Sequence, residues 1–149
     1  MAGQEEEVKE WKLLCEKTLE EDTISFSIET DTDGAAFAVE ELIIIARLNA
    51  ASKTQYLRIT AGDGLQCKLT YSVIATANKI AKIHIMLVDG KMMDVGSLAG
   101  NNEYVLSGTS SYGGVEGSYL GEKIEKITVG TNTEEPLLTS GSKYIIYGR

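Results

Sequence analysis

Histidine, proline and cysteine are scarce in this chain: its 149 residues include one His, one Pro and two Cys. A single histidine removes most His-based catalytic and metal-binding schemes. Cys15 and Cys67 lack a CxxC partner and sit in apolar-patterned stretches, so both are expected as reduced, buried thiols. Apolar runs such as Leu42 to Ala46 are far too short to cross a bilayer. Positive charge is in the minority, with 14 Lys and Arg against 22 Asp and Glu, a net of −8 that repels phosphate backbones and disfavours nucleic acid. What is present is an ordinary globular mixture, 43% apolar and 24% charged with 15 Gly, which argues against disorder and suits one domain. Composition therefore points to a soluble, acidic, Gly-rich domain that is not an enzyme and needs no cofactor.

The acidity is local. Residues 1–41 hold 13 acids and 3 bases, whereas the remaining 108 hold 9 acids and 11 bases. A solvated acidic N-terminal face is the expectation. Glu5, Glu6 and Glu7 stand where a signal peptide would be basic and then apolar, so no targeting segment is read here.

From Thr23 onward the pattern is alternation of period two, broken by Gly, Asp and Asn. Thr23 to Thr30 puts Ile24, Phe26 and Ile28 on one face, as in a half-buried strand. Val39 to Asn49 is apolar on both faces around Ile43, Ile44 and Ile45, as a strand covered on both sides would be. Thr54 to Thr60 and Leu65 to Thr76 flank Ala61-Gly62-Asp63-Gly64, a hairpin. Ile80 to Val88 turns at Asp89-Gly90 into Lys91 to Val95. Shorter strands are expected at Glu103 to Ser107, Lys123 to Val129 and Lys143 to Tyr147. Eight or nine short strands without a long helical pattern between them predict an antiparallel sandwich or barrel. The N-terminus is ambiguous. Val8, Trp11, Cys15 and Leu19 fall at helical spacing, while Trp11, Leu13, Cys15, Lys17 and Leu19 alternate; propensity leans to helix.

Trp11-Lys-Leu-Leu-Cys-Glu-Lys-Thr18-Leu19-Glu20-Glu21-Asp22, followed by an alternating strand, Asp33-Gly34 and an apolar strand, resembles the opening of small structural modules in tail and appendage proteins of phages and prophages of Gram-positive hosts. The ending Gly141-Ser-Lys-Tyr-Ile145-Ile146-Tyr147-Gly148-Arg149 is similar to the closing strand of those modules. The likeness covers about residues 11–45 and the last nine. It implies that Trp11 to Leu19 is a strand, that residues 1–10 are an acidic segment, and that residues 11–149 are one jelly-roll-like β-sandwich domain. It further implies a non-enzymatic virion component of a tail appendage, baseplate or head fibre, made in the host cytoplasm. Such a component assembles as a homo-oligomer, often a trimer, with other virion proteins, and Ile43, Ile45 and Ile74, or the tyrosines near the C-terminus, are positions a neighbouring subunit would cover.

Four motifs bear on chemistry. Glu29-Thr-Asp31-Thr-Asp33-Gly34 with Glu40 mimics a calcium loop, but Glu stands at the first ligand position and strands replace the flanking helices; a turn whose aspartates bind their own backbone is the plainer expectation. His84 has no second His, and its neighbours in sequence offer neither nucleophile nor carboxylate. Gly108-Thr-Ser110-Ser111-Tyr-Gly113 lacks the spacing of a nucleophile elbow. Glu20/Glu21 and Glu134/Glu135 are adjacent pairs expected as surface charge. The stretch Ala99 to Gly121 interleaves Tyr104, Tyr112 and Tyr119 with Gly, Ser and Asn, the chemistry of adaptable recognition loops. These three tyrosines are the expected ligand or receptor contacts, with a cell-surface glycan as the ligand class and a carbohydrate-binding module as the competing function.

Overall fold

The computed structural model describes residues 9–49, 55–62, 67–73, 79–96, 98–101, 104–106, 110–111, 123–131 and 134–149. Among them there is no helix, and twelve strands form: β1 (Lys12–Thr18), β2 (Ser25–Ile28), β3 (Glu41–Leu48), β4 (Gln55–Ala61), β5 (Cys67–Val73), β6 (Lys79–Val88), β7 (Lys91–Asp94), β8 (Leu98–Asn101), β9 (Tyr104–Leu106), β10 (Ser110–Ser111), β11 (Ile127–Gly130) and β12 (Lys143–Gly148). They make two antiparallel sheets. The first runs β1-β12-β3-β6-β8-β9 with β7 also on β6, and the second runs β10-β5-β4-β11-β2. The chain is thus the all-β sandwich its alternation predicts.

Eight of the strands pair as nested couples: β4 with β5, β3 with β6, β2 with β11, and β1 with β12. The chain is one long antiparallel ribbon, leaving along β1 to β4 and returning along β5, β6, β11 and β12, folded so that successive couples fall in alternating sheets. Strands β7 to β10 are an insertion in the returning arm. Sequence reading falls short of twelve strands because β8 (Leu-Ala-Gly-Asn) and the two-residue β10 carry no alternation.

At the N-terminus the strand implied by the resemblance forms, against the helical lean of propensity. Strand β1 pairs β12 from Lys12 opposite Gly148 to Thr18 opposite Lys143, with a bulge between Leu13 and Cys15. The extra residue turns both Leu14 and Cys15 into the core, at 1% and 7% exposure. Two consecutive inward residues break the period of two and imitate helical spacing.

Elsewhere, inward positions alternate as expected. Leu42, Ile44, Ala46 and Leu48 of β3 join Leu57 and Ile59 of β4 and Ile127 and Val129 of β11 in one apolar core. Each such large side chain contributes about 1.5–3 kcal/mol by leaving water. Two expectations need correcting. Ile24 is exposed, because β2 begins one residue later and Thr23 bridges Leu138 instead. Ile43 and Ile45 are only half-buried, since one face of β3 is the core and the other is the outside of the first sheet. Ile74 lies outside the described residues. The β6–β7 turn is the tight one expected, Asp89 (φ 51°) and Gly90 (φ 75°) joining Val88 to its partner Lys91.

Tyr144 of β12 is the largest fully buried side chain, and the sheet makes room for it with small residues: Ala46 is its register partner on β3, and Ala81 is next along on β6. Phe26, from the opposite sheet, meets its ring edge-on at 5.1 Å. Among the described residues the Tyr144 hydroxyl is enclosed without a hydrogen-bond partner, and burial raises its pKa well above the usual tyrosine value. An unmade hydrogen bond in the core costs stability. Tyr144→Phe, which keeps the ring and removes that hydroxyl, is expected to raise the unfolding free energy by about 1 kcal/mol in urea titration; a loss of similar size would contradict the isolated hydroxyl.

Candidate functional site

The richest constellation of polar and aromatic side chains lies where β3 begins and β12 ends, on the outside of the first sheet. Backbone bonds continue the β3·β12 ladder past Gly148: Arg149 N–H donates to the Glu41 carbonyl at 3.1 Å, and Glu41 N–H returns the bond at 3.1 Å. Glu41 shares the outward parity of Ile43 and Ile45, which carries its carboxylate onto the outer face. There one oxygen accepts from Arg149 Nε at 2.8 Å and the other is 2.5 Å from His84 Nε2. His84 comes from β6, opposite Ile43. The Arg149 guanidinium lies 4.3 Å from the centre of the Trp11 ring, and Trp11 meets His84 edge-on at 6.1 Å. Four separate strands or strand ends are thereby tied together.

Glu40 makes a second junction one residue earlier. Its carboxylate takes Lys123 at 2.6 Å and Lys9 at 3.0 Å. Lys123 is delivered by the bridge between Val39 and Ile124. Burial pushes the Glu41 carboxyl upward, but hydrogen bonds from Arg149 and His84 outweigh it and hold the group below its ordinary value. Glu40 is held low by Lys123 first and Lys9 second. Both oxygens of Glu41 are engaged, so the arrangement acts as a clamp that anchors the sheet end and presents a charged and aromatic rim.

The calcium-like segment resolves into a turn locked by protein groups. Asp31 Oδ1 accepts from the N–H of Asp33 at 2.8 Å and of Ala35 at 3.1 Å, while Oδ2, shut off from water, meets the Lys12 ammonium at 2.7 Å. The Lys12 hydrogen bond, followed by that of Ala35, keeps Asp31 below its ordinary value, and the same contact raises Lys12. Glu29 pairs with Lys126 at 3.7 Å, and Glu40 belongs to the junction above. The motif's carboxylates therefore diverge to lysines on different elements. Among the described residues no cluster of metal-ligating side chains forms.

His84 gains from the fold the carboxylate that its neighbours in sequence do not supply: Glu41, 43 positions away in sequence. Only the β3·β6 register brings the two together, and the shared outward parity of Glu41, Ile43 and His84 is the pattern that could have found them. Tyr104 opens β9, paired with Asn101 of β8 at one side of the first sheet. Tyr112 and Tyr119 lie outside the described residues. Ser110 and Ser111 form an edge strand and pair with Tyr71 and Thr70 of β5. Glu20, Glu21, Glu134 and Glu135 are exposed, as expected. Cys15 is a free thiol whose pKa burial pushes up, away from the reactive thiolate.

Because Glu41 is held below its ordinary value of 4.5, its contribution to stability is complete above that pH and is lost as pH falls through the lowered value. Glu40 and Asp31 carry the same sign. Glu41→Gln should cost about 2 kcal/mol near neutrality and make the acid limb of the stability curve, below roughly pH 4.5, shallower without flattening it. Equal acid limbs for the two proteins in urea titrations would contradict the clamp.

No family model, curated protein or solved structure matches this chain.

Proposed function

We propose that the chain is a non-enzymatic structural module of a phage virion, built as a jelly roll and working in a homo-oligomer alongside other virion proteins. The observation that carries this reading is the nested pairing of the eight-strand frame, β1-β12-β3-β6 against β5-β4-β11-β2. Two interleaved Greek keys yield this order, an architecture that viral capsid domains share with lectin domains and cupins. The opening and closing segments that resemble phage modules are β1 and β12, which pair with each other at one side of that frame.

The outer face of the first sheet adds support. It carries Ile43, Ile45, Ile145 and Tyr147, all half-buried on a surface that in a lone module would meet water. Met86 and Met93, opposite each other on β6 and β7, extend the apolar area and are 38% and 44% exposed. Contiguous outward apolar surface marks a contact with another protein. The clamp at Glu41, with both carboxylate oxygens occupied, suits a part that holds a sheet together better than it suits a general base. Host-surface adsorption belongs to this reading through the Tyr104, Tyr112 and Tyr119 segment.

Mass spectrometry of particles purified from a host that carries the gene tests the proposal. The expected result is a fixed copy number that stays with the particles through density-gradient banding. Absence from particles, together with glycan-array binding by the isolated monomer, would overturn it in favour of a carbohydrate-binding module.

A further inference from the structure

We propose that the outer face of the β1-β12-β3-β6 sheet packs against the same face of a second copy, about a two-fold axis parallel to the strands and between β12 and β3. The inference deepens the structural-module reading, on which it rests, by naming the contact surface and its partner.

Register sets the outward residues in rows across the sheet. One row reads Glu16, Ile145, Ile45 and Lys82 from β1 to β6. The row before it has Tyr147 beside Ile43, and the row before that has Arg149 beside Glu41. The centre is apolar, and the two ends of the Ile145–Ile45 row carry opposite charges. A two-fold axis along the strands lays β1 of one copy over β6 of the other and β12 over β3. Tyr147 then meets Ile43, Ile145 meets Ile45, Glu16 meets Lys82, and Arg149 meets Glu41, each contact occurring twice because the interface is isologous.

The alternative two-fold, across the strands, is disfavoured by the same charges. It would set Arg149 against Lys143, like against like, and Glu16 would lose its opposite charge, leaving Arg47 against Glu41 as the attractive contact of that arrangement. In the chosen arrangement Lys143 meets Arg47 only in the outermost row, and Glu16 already neutralises Lys143 at 2.9 Å. The first axis thus sets two kinds of opposite-charge contact against one like-charge contact, whereas the second sets one against one.

Charge reversal on the full chain tests the geometry. Glu16→Lys sets lysine against lysine at both contacts, and Lys82→Glu sets glutamate against glutamate. Each single variant should weaken the dimer roughly tenfold or more in sedimentation, with an unchanged circular dichroism spectrum. An equimolar mixture of the two, with one variant uniformly labelled with nitrogen-15, should recover association as a heterodimer, visible by mass in native mass spectrometry. In that heterodimer a Glu16→Lys subunit faces a Lys82→Glu subunit, and both contacts across the axis again join opposite charges. A wild-type monomer at tens of micromolar would overturn the contact. So would an oligomer indifferent to both reversals, or a mixture that stays as weak as the singles. An oligomer indifferent to the reversals leaves the virion reading standing, since particle composition decides that separately.

Discussion

The last strand of the sandwich lies between two others: β12 hydrogen-bonds to β1 on one side and to β3 on the other. Without it, β1 would have no partner in the first sheet and β3 would be an edge. Much of what is particular to this molecule follows from fitting that strand. Gly148 has no side chain because a Cβ would come within 2.6 Å of Leu14 and 3.0 Å of Val39, which fill the space. Tyr144 fits only because Ala46 and Ala81 stand beside it. The turn leading into the strand needs Gly141 at φ +82°, and Asn49 braces that turn by donating to the Ser140 carbonyl and accepting from Thr139 at its own carbonyl.

The clamp of Glu41, Arg149, His84 and Trp11 fastens the far end of the same strand. Its backbone part continues the ladder, and its side-chain part reaches over to β6 and to the residue before β1. The nested couples give this closure its cost. The inner couple β4·β5 joins residues close in sequence, whereas β1·β12 joins residue 12 to residue 148. Closing so long a loop is entropically unfavourable, so the outer couple is expected to form after the inner ones and to need strong local anchoring. The polar contacts at both ends of β12 supply that anchoring.

The architecture was largely legible in the residues. Alternation located β2, an apolar run located β3, and Asp89-Gly90 announced its hairpin, because strands and tight turns impose local patterns. The Leu13–Cys15 bulge was not legible, since one inserted residue copies a helical spacing. Strands of small residues, such as β8, leave no pattern either. The clamp was hidden for a different reason. Its members are one carboxylate, one imidazole, one guanidinium and one indole, drawn from four places in the chain, and only the register between strands makes them neighbours. The acidic residues of the calcium-like segment are the opposite case, close in sequence yet directed apart, Glu29 to Lys126, Asp31 to Lys12 and Glu40 to Lys123 and Lys9. The recognition tyrosines rest on composition, with Tyr104 alone on a described strand.

If β12 is the strand on which the sandwich depends, its amides should open only when the whole domain unfolds. Native-state hydrogen exchange of the full chain, read at Tyr144 to Tyr147 across a low-urea series, measures this directly. The account predicts protection equal to the global unfolding free energy, matched by the core amides of β3 and by β1. Exchange of β1 and β12 together at a lower free energy, while β3 and β6 stay protected, would contradict it.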